Sequence, residues 1–158
     1  MSSRRTDYYN DPDAPEATRI VPGAQVLVTD DDGQVLLQRR ADSGNWSAPG
    51  GTMDIGETLA QTAVREVREE TGLDVEITGL LGLYTDPKHV IAYSDGEVRQ
   101  EFVVAFTGRV TGGELQISDE STELRWVPLD EAPSLPMHET GRLRLRHLAE
   151  RRATPYLG

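Results

Sequence analysis

One segment narrows the folds open to this chain more than any other. From about Glu57 to Thr71 the residues keep helical spacing, with Leu59, Ala60, Ala63, Val64 and Val67 on one side and Gly72 as a natural stop. Strand-like stretches flank that helix on both sides. Upstream, Ile20 to Thr29 is β-branched and apolar, and Asp32-Gly33 supplies a turn before Gln34 to Arg39, the signature of a hairpin. Downstream, Val75 to Tyr84, Val90 to Tyr93, Arg99 to Val110 and Leu124 to Val127 read as strands, with Asp95-Gly96 as a turn. Leu129 to Leu135 and His138 to Arg152 read as a short and a longer helix separated by Pro136. Mixed strands around a central helix, with another helix near the end, predict one α/β (α+β) domain, an α/β/α sandwich with a mixed β-sheet.

The polar side of the central helix carries an unusual charge pattern. Glu66, Glu69 and Glu70 stand at i, i+3 and i+4, so their carboxylates project within one arc. Three like charges so placed cost helix stability, and a hard cation among them removes that cost. Carboxylate oxygens suit magnesium or manganese, which keep waters and take phosphate oxygens as further ligands. Arg65 and Arg68 lie round the helix and can orient or partly neutralise the acids. Ahead of the helix, Pro49-Gly50-Gly51 can bring bare backbone close to the same place. Most glutamate-rich helix faces are simply solvated. Here the acids crowd together instead of alternating with lysine, and a Pro-Gly-Gly loop precedes them, which favours a metal site.

The stretch Gly51 to Leu73 resembles the Nudix box, G-x5-E-x7-R-E-U-x-E-E-x-G-U with U aliphatic. It agrees at every defined position: Gly51, Glu57, Arg65, Glu66, Val67, Glu69, Glu70, Gly72 and Leu73. Trp46 to Gly51 and Trp126 to Glu131 are similar to the family's usual flanks, so the resemblance covers roughly residues 20–150. It implies a Mg2+-dependent hydrolase (Mn2+ serving as well) in which water attacks a phosphorus of a diphosphate linkage. It also implies metal ligation by Glu66, Glu69, Glu70 and the carbonyl of Gly50. Catalysis is expected from Glu69 and Glu70, with Arg65 orienting a box glutamate and Glu57 supporting the loop and helix start. For the general base, family members use a box glutamate or an acid in a later loop. Glu120, six residues before Trp126, is the first candidate there and Glu123 the second.

Substrate choice lies outside the box. Arg39, next to the Trp46 loop, is a candidate phosphate clamp by virtue of its bidentate fork. Trp46 can stack on a base or fill core, and core is the commoner use. Pro87 lies near, though not at, the downstream position where ADP-ribose-cleaving members carry a proline, and neither Tyr84 nor Tyr93 fits the diadenosine-polyphosphate pattern. ADP-ribose or a nucleotide sugar is the leading substrate class. The alternative is a MutT-like nucleoside triphosphate pyrophosphatase acting on oxidised or non-standard nucleotides. A non-catalytic nucleotide-binding module usually loses box acids, and none is lost here.

Composition bounds the rest. Without cysteine, disulfides, thiolate catalysis and cysteine-ligated zinc are excluded. The apolar runs are far too short to span a bilayer, and no signal-peptide core follows Arg4 and Arg5, so a cytoplasmic location is expected. A net charge of −11 repels nucleic acid and anionic membranes, so neither is an expected partner. It also makes a cation the natural mediator between an acidic site and a phosphate ester. Five arginines cluster after His138 (142, 144, 146, 151 and 152), read as a solvated helix face rather than an RNA-binding tail. Residues 1–18, rich in Asp, Pro, Ser and Arg, are expected to form a flexible or loosely docked arm, before a Nudix-like domain over 19–152 and a tail over 153–158. ADP-ribose-cleaving members are often dimers whose N-terminal segments help build the partner's site. Tyr8 and Tyr9 in the arm therefore raise the expectation of a homodimer.

Overall fold

Alternation along two strands divides the interior into halves. In the computed structural model, which describes residues 4–158, β3 (Gly23–Val28) sends Ala24, Val26 and Val28 to one side and Leu27 to the other. β4 (Gln34–Arg40) does the same with Leu36 against Val35 and Leu37. The first side packs on Ala63 and Val67 of helix α1 (Leu59–Thr71), the second on Leu145 of helix α2 (Glu139–Glu150). Each aliphatic side chain so buried contributes about 1.5–3 kcal/mol, enough to fix which way every strand faces. This is the α/β/α sandwich that the sequence predicts.

The remaining strands are β1 (Arg5–Tyr9), β2 (Arg19–Ile20), β5 (Trp46–Ser47), β6 (Gly50–Thr52), β7 (Leu73–Tyr84), β8 (His89–Tyr93), β9 (Val98–Gln100), β10 (Val103–Gly113), β11 (Ser121–Pro128) and β12 (Tyr156–Leu157). The described strands form three sheets, ordered β1-β8-β9-β2, β12-β7-β10-β3-β6 and β11-β4-β5. Parallel pairings of β10 with β3 and of β12 with β7 stand beside antiparallel ones, so the sheet is mixed as expected.

Several local expectations differ. The Asp32-Gly33 turn forms, with Asp30 N–H donating to the Gln34 carbonyl, but β3 and β4 meet at a single bridge, Thr29 to Val35, and then join different sheets. Long-range partners outbid the local hairpin because both strands are apolar on both faces and bury more by separating. The stretch 99–110 breaks at Glu101 and Phe102, where Glu101 turns into the interior. The helix expected over 129–135 is one 3-10 turn, Ala132–Ser134. Ala60 lies exposed, off the buried face of α1.

The largest difference concerns the N-terminus. Residues 1–3 lie outside the described residues, but the expected loose arm contains a strand: β1 pairs antiparallel with β8 of the same chain, from Arg5 opposite Tyr93 to Tyr9 opposite His89. Asp7 accepts hydrogen bonds from Arg5 (2.8 and 2.9 Å) and lies 2.9 Å from His89 Nε2, while the Tyr9 ring meets His89 and His138 edge-on. A polar composition hides such a strand, because its partners are elsewhere in the sequence. Part of the tail is also docked, Tyr156 and Leu157 pairing with Gly82 and Leu83.

Candidate active site

Helix α1 is positioned by both of its ends. Thr58 caps it reciprocally: Gln61 N–H donates to the Thr58 hydroxyl (3.1 Å) and Thr58 N–H to the Gln61 side chain (2.9 Å). Gly72 closes it at φ 77°, its N–H donating to the Arg68 carbonyl. With Ala63 and Val67 held in the core, Glu66 and Glu70 face a cavity of about 730 Å3.

Arg65 is the hub of the box. Its guanidinium donates to Glu57, to Glu66 (2.8 Å), to Glu69 (3.2 Å) and to the Thr52 carbonyl (3.1 Å). Glu57 also accepts from Thr62 Oγ1 (2.7 Å) and Asp54 N–H (3.1 Å), tying the loop to the helix start. Hydrogen bonds, Arg65's first, hold the Glu57 carboxyl down at about 2.

Glu70 is in the opposite condition. It is 5% exposed and accepts hydrogen bonds from Gly50 N–H (2.9 Å) and Gln38 Nε2 (3.1 Å). Burial pushes its carboxyl up to about 8 against the Gly50 bond, and the charges of Glu66 and Glu120 add to the rise. Glu66 is also raised, by burial first, despite Arg65 beside it. Glu66, Glu70 and Glu120 all line the cavity. Glu69 does not; its side chain is 59% exposed. Glu123 lies outside the lining too and accepts from Arg125 (3.0 Å).

Among the described residues no three acids or histidines are already drawn together as a ligand set. The donors nevertheless fit a hard divalent cation. Glu66, Glu70 and Glu120 are carboxylates around one cavity; Arg65 pairs with Glu66, while Glu70, among the described residues, is bonded only by the neutral donors Gly50 N–H and Gln38. The backbone makes room for them: a Cβ on Gly51 would stand 2.5 Å from the Glu66 carboxyl. On Gly50 it would stand 2.4 Å from the Ala24 carbonyl. These two clashes predict different outcomes. Gly51→Ala is expected to keep the thermal midpoint within a few degrees, because a side chain can swing away, while turnover falls about 10–100-fold as Glu66 moves. Gly50→Ala meets backbone and is expected to cost about 2–4 kcal/mol of stability. Equal melting of the two variants would contradict this division.

Arg39 lies off the cavity although Leu37 on its own face and Trp46 opposite it both line the wall. Leu36, Gln38 and Arg40 share the α1 side of β4, whereas Arg39 sits opposite Trp46 and donates through Nε to the Gly44 carbonyl (3.2 Å). Gln38 and Arg40 line the cavity; Arg39 does not. Trp46 is 5% exposed and packs in the α2-side core, with the Arg125 guanidinium 4.7 Å from its ring centre.

The cavity runs on from the acids to a second wall made by β1, β8, β9 and α2, where Arg5, Asp7, His89, Tyr93, Arg99 and Arg144 line it. The sequence gives little sign of these residues. Arg144 reads as one of five arginines on a solvated helix, yet it is buried and donates to Gln25 Oε1 (2.9 Å). Arg142 is also engaged, donating to the carbonyls of Pro133, Leu135 and Met137. Burial alone would raise the Asp7 carboxyl, but hydrogen bonds from His89 and Arg5 outweigh it and hold the group well below the usual range. Its contribution to stability is therefore present above about pH 4 and lost as pH falls below it. Asp7→Asn should melt lower than wild type at pH 6, with the gap closing toward pH 2. A gap that stayed constant over that range would show that Asp7 is not the titrating group.

With the box geometry in place, the comparisons with known proteins are direct. A model of the NUDIX domain matches residues 19–149. The chain belongs to the Nudix hydrolase family. Among curated relatives it is 36% identical over 105 residues to a MutT-like protein of Streptomyces ambofaciens, covering 66% of this chain. It is 33% identical over 112 residues to an ADP-ribose pyrophosphatase of Methanocaldococcus jannaschii, covering 68% of this chain. The match spans 62% of the length of each of these relatives. Among solved structures, a Nudix hydrolase from Nitrosomonas europaea superposes with a TM-score of 0.72 at 25% identity, over 90% of this chain and 80% of that one. No helix among the described residues is long and apolar enough to cross a membrane.

Proposed function

We propose that this Nudix chain is a Mg2+-dependent pyrophosphohydrolase that cleaves the diphosphate linkage of a nucleoside diphosphate derivative, with ADP-ribose or a nucleotide sugar as the leading substrate class. The observation that carries the reading is the burial of Glu70 beside Glu66 and Glu120 in one large cavity. Three carboxylates around one cavity, one of them buried and, among the described residues, bonded only by neutral donors, are costly in an apoprotein and useful in a site that receives cations and phosphates. Glu66, Glu69, Glu70 and Gly50 would hold the metal, which when bound neutralises phosphoryl oxygens and sharpens the acidity of water. The chain's own share is positioning. Arg65 fixes Glu66 and Glu69, Gly50 and Gln38 orient Glu70, and Glu120 is the candidate to take the proton of the attacking water. The extended cavity supports a substrate with two parts, one at the acids and one against the β1 wall. The likeness to a named ADP-ribose pyrophosphatase is in keeping with that class, and the equal likeness to a MutT-like protein keeps the nucleoside triphosphate reading beside it.

A panel of ADP-ribose, UDP-glucose and 8-oxo-dGTP with Mg2+ separates the readings by product. AMP with a sugar phosphate is expected from ADP-ribose; release of inorganic pyrophosphate from the triphosphate alone would favour the second reading. Binding to the native state alone should also raise the thermal midpoint by about 5–10 °C as Mg2+ or Mn2+ passes well above its dissociation constant. Glu66→Ala, Glu69→Ala and Glu70→Ala combined should remove most of that shift. Equal shifts in both proteins would put the metal elsewhere.

A further inference from the structure

A buried chain of hydrogen bonds runs from β11 through β4 to the box helix. Ser121 Oγ lies 2.6 Å from Gln38 Oε1, and Gln38 Nε2 lies 3.1 Å from Glu70 Oε2. Gln38 is 3% exposed and Ser121 7%, in a stretch of β4 that is otherwise Val35, Leu36 and Leu37. A polar amide in such a place is expensive unless both of its ends are bonded, and here both are. We infer that Ser121 and Gln38 form a positioning pair that orients Glu70 and couples it to the loop carrying Glu120. The inference rests on the reading of Glu66 and Glu70 as metal ligands.

Glutamine has an oxygen end and a nitrogen end of nearly the same shape, and only its nitrogen end can donate to a carboxylate. The Glu70 carboxylate calls for the nitrogen end, and the Ser121 hydroxyl, donating to Oε1, satisfies the oxygen end in that arrangement. Without the hydroxyl Oε1 is left buried with no donor, and the arrangement that serves Glu70 loses its support. Gly50 N–H donates to the same Glu70 oxygen, so the donors among the described residues converge on Oε2 and leave Oε1 without one. The pair also has a structural cause. A register shift between Ser121 and Glu123 in the β11–β4 ladder puts Ser121 opposite Arg40 and Glu123 opposite Arg39. Such a bulge re-aims a side chain, and this one sends Ser121 to the Gln38 side of the sheet. The adjacent residue is held as well, the Glu120 carbonyl accepting from Ala41 N–H (2.9 Å).

The test uses full-length protein and Mn2+ alone as the probe, titrated by electron paramagnetic resonance. Gln38→Met is expected to weaken Mn2+ binding about 10–100-fold, the usual range for a residue that orients a ligand. Ser121→Ala should weaken it by a smaller factor, and Ser121→Thr, which keeps the hydroxyl, should stay at the wild-type value. The double variant Q38M/S121A should match Q38M alone, because Ser121 acts through Gln38. Melting midpoints in EDTA check that each variant is folded, and kinetics on whichever nucleotide the wild type turns over should show kcat falling with KM nearly unchanged. Mn2+ affinity of Q38M within twofold of wild type, or independent effects of the two substitutions, overturns the inference. A wild type that binds no Mn2+ overturns the metal-site reading itself, and does so before any substitution is made.

Discussion

Glu70→Gln is expected to lower turnover about 10^3-fold, equivalent to about 4 kcal/mol of transition-state stabilisation, while making the metal-free protein more stable. Both effects come from one feature. Glu70 is 5% exposed beside two other carboxylates, and its carboxyl is pushed from 4.5 up to about 8. Below pH 4.5 the group is protonated whether the chain is folded or not. Above it the unfolded chain gives up its proton first, so stability falls as pH rises, until the folded group also ionises near 8. The loss over that window is several kcal/mol at most, on the order of 5 for the full shift. The amide cannot ionise and avoids it. In EDTA the wild-type midpoint should therefore drop between pH 5 and pH 8, while that of Glu70→Gln stays flat and ends higher. Glu69→Gln should also slow turnover by orders of magnitude, about 10^2-fold, but its half-exposed side chain predicts no such gain in stability. Near-normal turnover in Glu70→Gln would remove the ground for the metal site.

Deletion of residues 1–10 should have the second-largest effect, and its form distinguishes two ideas about the N-terminus. β1 is paired with β8 of its own chain and brings Arg5 and Asp7 to the wall of the cavity that the box acids also line. Removing it exposes the β8 edge, so the thermal midpoint should fall by about 5–10 °C, corresponding to about 2–3 kcal/mol. It also removes one wall of the cavity, so KM should rise at least about tenfold with kcat changed much less, the signature of lost substrate binding. The oligomeric state in sedimentation should be the same with and without these residues, because β1 pairs with β8 of its own chain. Loss of a dimer on deletion would instead support an arm that serves a partner subunit.

The sequence by itself determined the box, the helix and the layered fold, because these depend on spacing along one segment. Helical periodicity places Ala63 and Val67 inward and Glu66 and Glu70 together. Gly72 stops the helix, and the two-residue period of β3 and β4 divides the core whatever their partners are. The helix start, read at about Glu57, lies at Leu59, where Thr58 and Gln61 form the reciprocal cap. Tertiary structure decided the rest, because it depended on which distant segments met. It made a strand of Arg5–Tyr9, since β8 offered an edge. It brought Arg40 rather than Arg39 to the cavity, Arg39 being turned to the Gly44 carbonyl instead. It buried Arg144 against Gln25, made Gln38 a partner of Glu70 and, through a bulge in β11, made Ser121 a partner of Gln38. Charges close in sequence announce a site on one helix; the residues that orient them come from other strands, and only folding brings those within hydrogen-bonding distance.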